Sequence, residues 1–191
     1  PRDTSRPLWL SLLLGHLALL AGLLAWIGWQ TRPVDMHALQ LSEGEKLKCV
    51  SYAPYHRPGQ TPLDESQHIS PEQIATDLGA LAGITDCVRL YSIDQGLDQV
   101  PGIARTLGIK VLLGAWIGFD RDKNASELDR AIALANANAD VVRGLIVGNE
   151  VLLRRERTED EMRALIRSAK ARTTVPVTYA DVWEFWTRHD R

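Results

Sequence analysis

The 191-residue sequence is 45% hydrophobic and carries a formal charge of −2, from 22 Lys and Arg against 24 Asp and Glu. That is room for one domain of ordinary size with a real core, and the lack of a basic patch or stripe excludes the nucleic-acid-binding classes. Two cysteines, Cys49 and Cys87, are too few for a metal cage or a disulfide framework.

Residues 8–29 contain no Asp, Glu, Lys or Arg. A helix needs about 20 apolar residues to cross the hydrocarbon, so this run predicts one transmembrane helix within an N-terminal anchor, residues 1–30. Trp9 at one end and Trp26 and Trp29 at the other suit the two membrane interfaces. A cleaved signal peptide has a shorter apolar core, about 7–15 residues, and a small-x-small cleavage site. Here the run closes on Trp26-Ile27-Gly28-Trp29 instead. Arg2 and Arg6 precede it and Arg32 follows. That weak basic bias places the N-terminus in the cytoplasm and the rest outside the inner membrane, periplasmic or extracellular. His16 lies mid-span with Ser11 as a polar neighbour, and no function is assigned to it. Residues 31–48, polar and mixed in charge with Pro33 and Gly44, read as a juxtamembrane tether.

From Cys49 onward short apolar runs alternate with helical patterns, which argues for βα units and a parallel sheet. The first strand is expected at 49–52, followed by an irregular loop to 69. Ser70-Pro71-Glu72-Gln73 starts a helix: a capping hydroxyl, a proline in the first turn, then acid and amide. Ile74, Leu78, Leu81 and Ala82 form its apolar face, and Gly83 ends it. The second strand is expected at 87–91, with a helix at 100–107 stopped by Gly108. The third strand, 110–116, is the strongest. A polar loop at 120–124 and an alanine-rich helix at 125–136 follow. The fourth strand is expected at 144–147. Thr158 caps the next helix, whose Arg163, Arg167 and Arg172 interleave with Glu159 and Glu161 as a solvated face. The fifth strand is expected at 175–180, and a further helix begins before Arg191.

Each cysteine sits in an apolar, strand-like run and reads as a small core residue. A bridge between them would need neighbouring strands with facing side chains. The fold class is α/β: an incomplete (β/α)8 TIM barrel of about five units, residues 49–191, preceded by one transmembrane helix. A complete barrel needs about 250 residues, and the chain starts at Pro1 without a methionine, so it is expected to be a segment of a longer protein. A doubly wound five-stranded sheet is the alternative; against it, no Gly-rich phosphate loop follows the first strand.

The chemistry-bearing residues fall at strand ends, where parallel barrels gather their sites. Tyr52 and Tyr55 follow strand one; Tyr91, Ser92 and Asp94 follow strand two; Trp116 ends strand three, with Asp120 close behind. The run Leu145-Ile146-Val147 is broken by Gly148, and Asn149 and Glu150 follow at once. Asp181, Trp183 and Trp186 follow strand five. Aromatic rings cover sugar faces and polar groups bind hydroxyls, so the set suits a carbohydrate, although any one ring taken alone suits packing equally.

Val147-Gly148-Asn149-Glu150-Val151 resembles the acid/base signature of glycoside hydrolase family 17, the β-1,3-glucanase-like barrels. Three further stretches are similar to that family's bacterial, membrane-associated branch. They are Ser51-Tyr52-Ala53-Pro54-Tyr55 with Arg57-Pro58-Gly59-Gln60, then Val88-Arg89-Leu90-Tyr91-Ser92, then Leu113-Gly114-Ala115-Trp116. The resemblance runs from Cys49 to the C-terminus. It implies a retaining mechanism with two carboxyl groups and no metal or organic cofactor. Glu150 matches the general acid/base, and Asn149 the amide that holds a sugar 2-hydroxyl. Tyr52 and Tyr91 match positions lining the cleft; Trp116 and Trp183 are expected to bind the same β-glucan. The family's nucleophile is a glutamate at the end of strand seven, which has no counterpart here. This polypeptide is therefore expected to be inactive unless the missing portion is supplied. A glycosyltransferase domain downstream, or a separate partner, is left open. The competing function is a non-catalytic glucan-binding or scaffold protein that keeps only the aromatic cleft.

Overall fold

The structure is a computed structural model that describes residues 5–34 and 41–188, with the side chains of 5–7 excepted. The chain divides into two compact units, one ending at Ser42 and one beginning at Glu43.

The first unit contains α1 (Ser5–Gln30), a 26-residue helix. A helix that is hydrophobic all round has no polar face to turn to water. Leu8–Gln30 is long and apolar enough to cross a membrane, a property that signal sequences share. His16 satisfies its ring within the helix, with Nδ1 2.7 Å from the Leu12 carbonyl oxygen. At the carboxyl end Thr31 Oγ1 donates to the Ile27 carbonyl at 2.9 Å.

The second unit is a five-stranded sheet: β1 (Val50–Ser51), β2 (Cys87–Arg89), β3 (Lys110–Ala115), β4 (Val142–Asn149) and β5 (Val177–Ala180). All neighbours are parallel and the order is β1-β2-β3-β4-β5. A doubly wound sheet reverses direction at a switch point; sequential order does not, so this is an arc of a βα-barrel. The crossovers carry α2 (Pro71–Leu81), α3 (Val100–Thr106, preceded by a 3₁₀ turn), α4 (Arg121–Ala137) and α5 (Glu159–Arg172); α6 (Trp183–Arg188) follows β5.

The core lies between one face of the sheet and these helices. Strand side chains alternate in direction, and Val111, Leu113 and Ala115 of β3 are buried against Ile74, Ala104, Ala131 and their neighbours. Capping fixes where the helices start. Ser70 accepts from the Gln73 N–H, and Thr158 and Glu161 form a reciprocal capping box.

Three expectations change. Residues 120–124 are not a loop. Asp120 caps α4 through the Lys123 N–H, and buried Asn124 clamps both the N–H and the carbonyl of Gly118. The polarity of that stretch serves the orphan N–H groups of a helix end. The cysteines are not two free core residues: pairing of Val50 with Val88 puts Cys49 beside Cys87, Cα atoms 4.3 Å apart, and they form a disulfide. Finally, contacts of the folded unit begin before Cys49. Leu47 pairs in parallel with Thr85, and Lys46 reaches the Ala82 carbonyl at 2.8 Å.

Candidate active site

The carboxyl end of β4 is where regular backbone stops. Leu145 and Val147 are buried in the core. Gly148 then takes φ +81°, and a Cβ there would lie 2.7 Å from Val151 Cγ2 and 3.2 Å from Met162 Cε. Both the conformation and the space demand glycine. Glu150 also takes a left-handed φ, 54°, which costs a non-glycine residue energy and persists only where the surroundings enforce it. Its N–H donates to the Ala180 carbonyl of β5 at 2.7 Å. The side chain is half-buried.

Asn149, between the two, accepts a hydrogen bond on Oδ1 from Arg89 Nη2 at 2.7 Å. Arg89 ends β2 and Asn149 ends β4, with β3 between them. Val88 and Leu90 point into the helix-facing core, so Arg89 points to the other face, the inside of the arc. The bond therefore spans the inner surface, as side chains from alternate barrel strands do. The same guanidinium lies 3.8 Å from the Tyr91 ring centroid, a cation–π contact that helps fix its direction. The Tyr91 hydroxyl donates to Ser51 Oγ at 3.3 Å.

Beside this corner, over the ends of β1 to β3, lies a cleft of about 670 Å3. Tyr52, Tyr55, Tyr91 and Trp116 line it together with Ser92, Asp94, Gln95, Lys123 and Glu127. Asn149 and Glu150 are not among its lining residues; Trp116 joins the two regions. The residue is 36% exposed, and its ring carries the Arg154 guanidinium 4.6 Å from the centroid. The backbone N–H of Arg154 donates to the Glu150 carbonyl at 2.9 Å.

The other expected residues separate. Tyr52 is only 6% exposed, and its hydroxyl donates to Asp77 Oδ2 at 2.9 Å. Burial, together with that carboxylate, pushes the phenol far above its ordinary value. The ring edges the cleft, while the hydroxyl is committed to α2. Trp183 is 72% exposed on α6 and does not line the cleft. Its neighbour Trp186 packs against Tyr179 with ring centroids 6.0 Å apart. The three strand-end aspartates are all engaged: Asp94 pairs with Arg130, Asp120 caps α4, and Asp181 takes the Tyr179 hydroxyl. The Glu150 carboxylate, by contrast, has no hydrogen-bond or ion-pair partner among the described residues.

Sequence reasoning gave no role to Arg89, Arg154 or Glu127. Glu127 had a visible signal. It falls on the apolar stripe of α4 with Asn124, Leu128 and Ala131, all buried, and a carboxylate on a buried stripe asks for a reason.

The family model described as the BtgE/BtgC glycoside hydrolase domain matches residues 49–191. The glucan endo-1,3-beta-glucosidase btgC of Emericella nidulans is 28% identical over 102 residues, covering 49% of this chain and 15% of that protein. An active-site mutant of the Rhizomucor miehei beta-1,3-glucanosyltransferase, in complex with laminaritriose, is 26% identical, with a TM-score of 0.58. The match covers 71% of this chain and 49% of that one. An endo-laminarinase from a strain of Formosa is alike in fold, at 20% identity and a TM-score of 0.60, over 75% of this chain and 45% of its own. The chain thus spans about half the length of these solved structures.

Proposed function

The chain belongs to the BtgE/BtgC glycoside hydrolase domain family, and from that membership we propose that it carries the acid/base half of a retaining enzyme acting on β-1,3-glucan. The observation that carries the proposal is the carboxyl end of β4. There a strained glutamate, whose carboxylate has no partner among the described residues, stands next to an asparagine fixed by Arg89.

In this reading Glu150 protonates the leaving glycosidic oxygen and later takes the proton of the incoming hydroxyl. Asn149, its oxygen held by Arg89, turns its amide N–H toward a sugar 2-hydroxyl, where hydrogen bonds strengthen in the transition state. Tyr91 and Trp116 offer faces to the glucan. The second carboxyl must stand about 5–5.5 Å from the first. The strand-end aspartates are already engaged, so we assign that role to the strand-seven glutamate that the family resemblance implies. Water attacking the glycosyl intermediate gives hydrolysis; a sugar hydroxyl gives transfer.

We also propose that α1 anchors the protein in the inner membrane, with the second unit outside the cytoplasm. The length and composition of the helix support this. So does the Cys49–Cys87 disulfide, because disulfides persist in oxidising compartments.

The test is kinetic, with the strands that complete the barrel present. Glu150→Gln should slow turnover of laminarin by about 10²–10⁴-fold, the usual worth of a positioned acid/base. Cleavage of aryl glucosides, whose leaving groups need no proton, should fall far less at the first step. Equal losses on both substrates would remove Glu150 from the role. Product masses separate the two outcomes, since only transfer makes longer oligosaccharides.

A further inference from the structure

Glu127 is 1% exposed, yet it lines the cleft. Its carboxylate is used asymmetrically. Oε1 accepts from Ser92 Oγ at 2.6 Å, from the Trp116 backbone N–H at 2.9 Å and from the Ile93 backbone N–H at 3.3 Å. Oε2 accepts from no described residue. It is not sealed in either: among the described residues, Arg154 Nε is the one buried side-chain nitrogen or oxygen without a partner. Oε2 therefore retains a small accessible surface on a residue that lines the cleft.

The three bonds to Oε1 tie the ends of β2 and β3 together and set the backbone under Trp116. A glutamine would do that work equally well, because its amide oxygen accepts the same three donors. It would also avoid the desolvation of a charge. That desolvation is real here: burial pushes the Glu127 carboxyl above its ordinary value, against the hydrogen bonds from Ser92 and Trp116, with Asp94 adding to the rise. A carboxylate in this place calls for a use of the second oxygen.

We propose that Glu127 is a ligand-binding carboxylate, whose Oε2 accepts a hydroxyl of a glucosyl unit seated between Tyr91 and Trp116, at a subsite apart from the Asn149–Glu150 pair. The proposal rests on the glucan reading of the cleft and adds a residue and a position to it. An ionised acceptor makes a stronger hydrogen bond to a sugar hydroxyl than a neutral one. A carboxamide nitrogen in the same place is a donor instead, and a hydroxyl must turn to meet it. Lys123 and Arg130 are already paired, with Glu65 and Asp94 respectively.

The test is a titration of the full chain, in detergent micelles, with laminari-oligosaccharides from the disaccharide to the hexasaccharide, followed by tryptophan fluorescence. Wild type should bind more tightly with each added unit until the cleft is filled. Glu127→Gln should match wild type for ligands too short to reach residue 127 and bind the longest about tenfold more weakly, the worth of one charge-assisted hydrogen bond. Equal affinities at every length overturn this proposal and leave the glucan reading standing. No binding by wild type at any length overturns both. A measurement on the unsubstituted protein guards against a folding defect in the variant. A hydroxyl donated to the ionised carboxylate lowers its pKa, so the Glu127 carboxyl ¹³C titration should move to lower pH when the hexasaccharide is bound. An unmoved titration rejects the contact.

Discussion

Gly148 and Glu150 hold left-handed backbone on either side of Asn149, and the site depends on that local geometry. Gly148→Ala forces a methyl to 2.7 Å from Val151. It should cost about 1–3 kcal/mol of stability, the range for an enforced unfavourable conformation, seen as an earlier urea midpoint. It should also loosen the Asn149–Arg89 bond. Tyr52→Phe removes a hydroxyl that serves Asp77. It should lower stability by about 1 kcal/mol while leaving oligosaccharide binding nearly intact; a large loss of binding would return Tyr52 to the substrate. The Gly-Asn-Glu run is legible in the sequence because a glycine breaking an apolar strand is a local signal. The Arg89 contact is not, because it joins residues 60 apart across an intervening strand. Aromatic type alone likewise fails to tell a ring on the cleft, such as Trp116, from an exposed one such as Trp183.

Among the elements, what was legible followed from period and caps. Ser70 and Thr158 stand where they were expected and cap through their own side chains. The start of α4 is not legible, because Asp120 and Asn124 look like loop residues until their N–H and carbonyl partners are known. The sequence leaves the disulfide undecided because strand adjacency is a property of the sheet. It closes a span of 38 residues, for which chain entropy gives about 3–4 kcal/mol. Reduction, or Cys49→Ser, should lower the unfolding free energy by that order in a denaturant titration. Outside the core, Arg105 of α3 holds Asp140, in the turn after α4, through two hydrogen bonds. Those bonds lower the Asp140 carboxyl from 3.8 to about 2. A depressed carboxyl stabilises the fold above its unfolded value, and the contribution fades as pH falls toward the folded one. Asp140→Asn should therefore be less stable than wild type at neutral pH, and the gap should close on acidification between those two values. Glu127 has the opposite sign. Its raised carboxyl favours the folded state below the unfolded value and loses that advantage as pH rises, so Glu127→Gln should flatten the decline.

At the scale of the molecule, five parallel strands in sequential order place Tyr91, Trp116, Asn149 and Glu150 at one end of the sheet. The alternation of strand and helix made that architecture legible, whereas the separation of the cleft from the Asn149–Glu150 corner emerged only from the packed side chains. Trp116, with Arg154 over its ring, stands between the two regions, and a glucan lying along the strand ends would pass it. The most direct measurement is the position of laminaritriose bound to the chain carrying Glu150→Gln, determined crystallographically. The account predicts a glycosidic oxygen within about 3 Å of the residue 150 side chain, the reach of a proton donor, with a 2-hydroxyl facing Asn149. A trisaccharide bound with every glycosidic oxygen remote from residue 150, or seated on the helix side of the sheet, would contradict it.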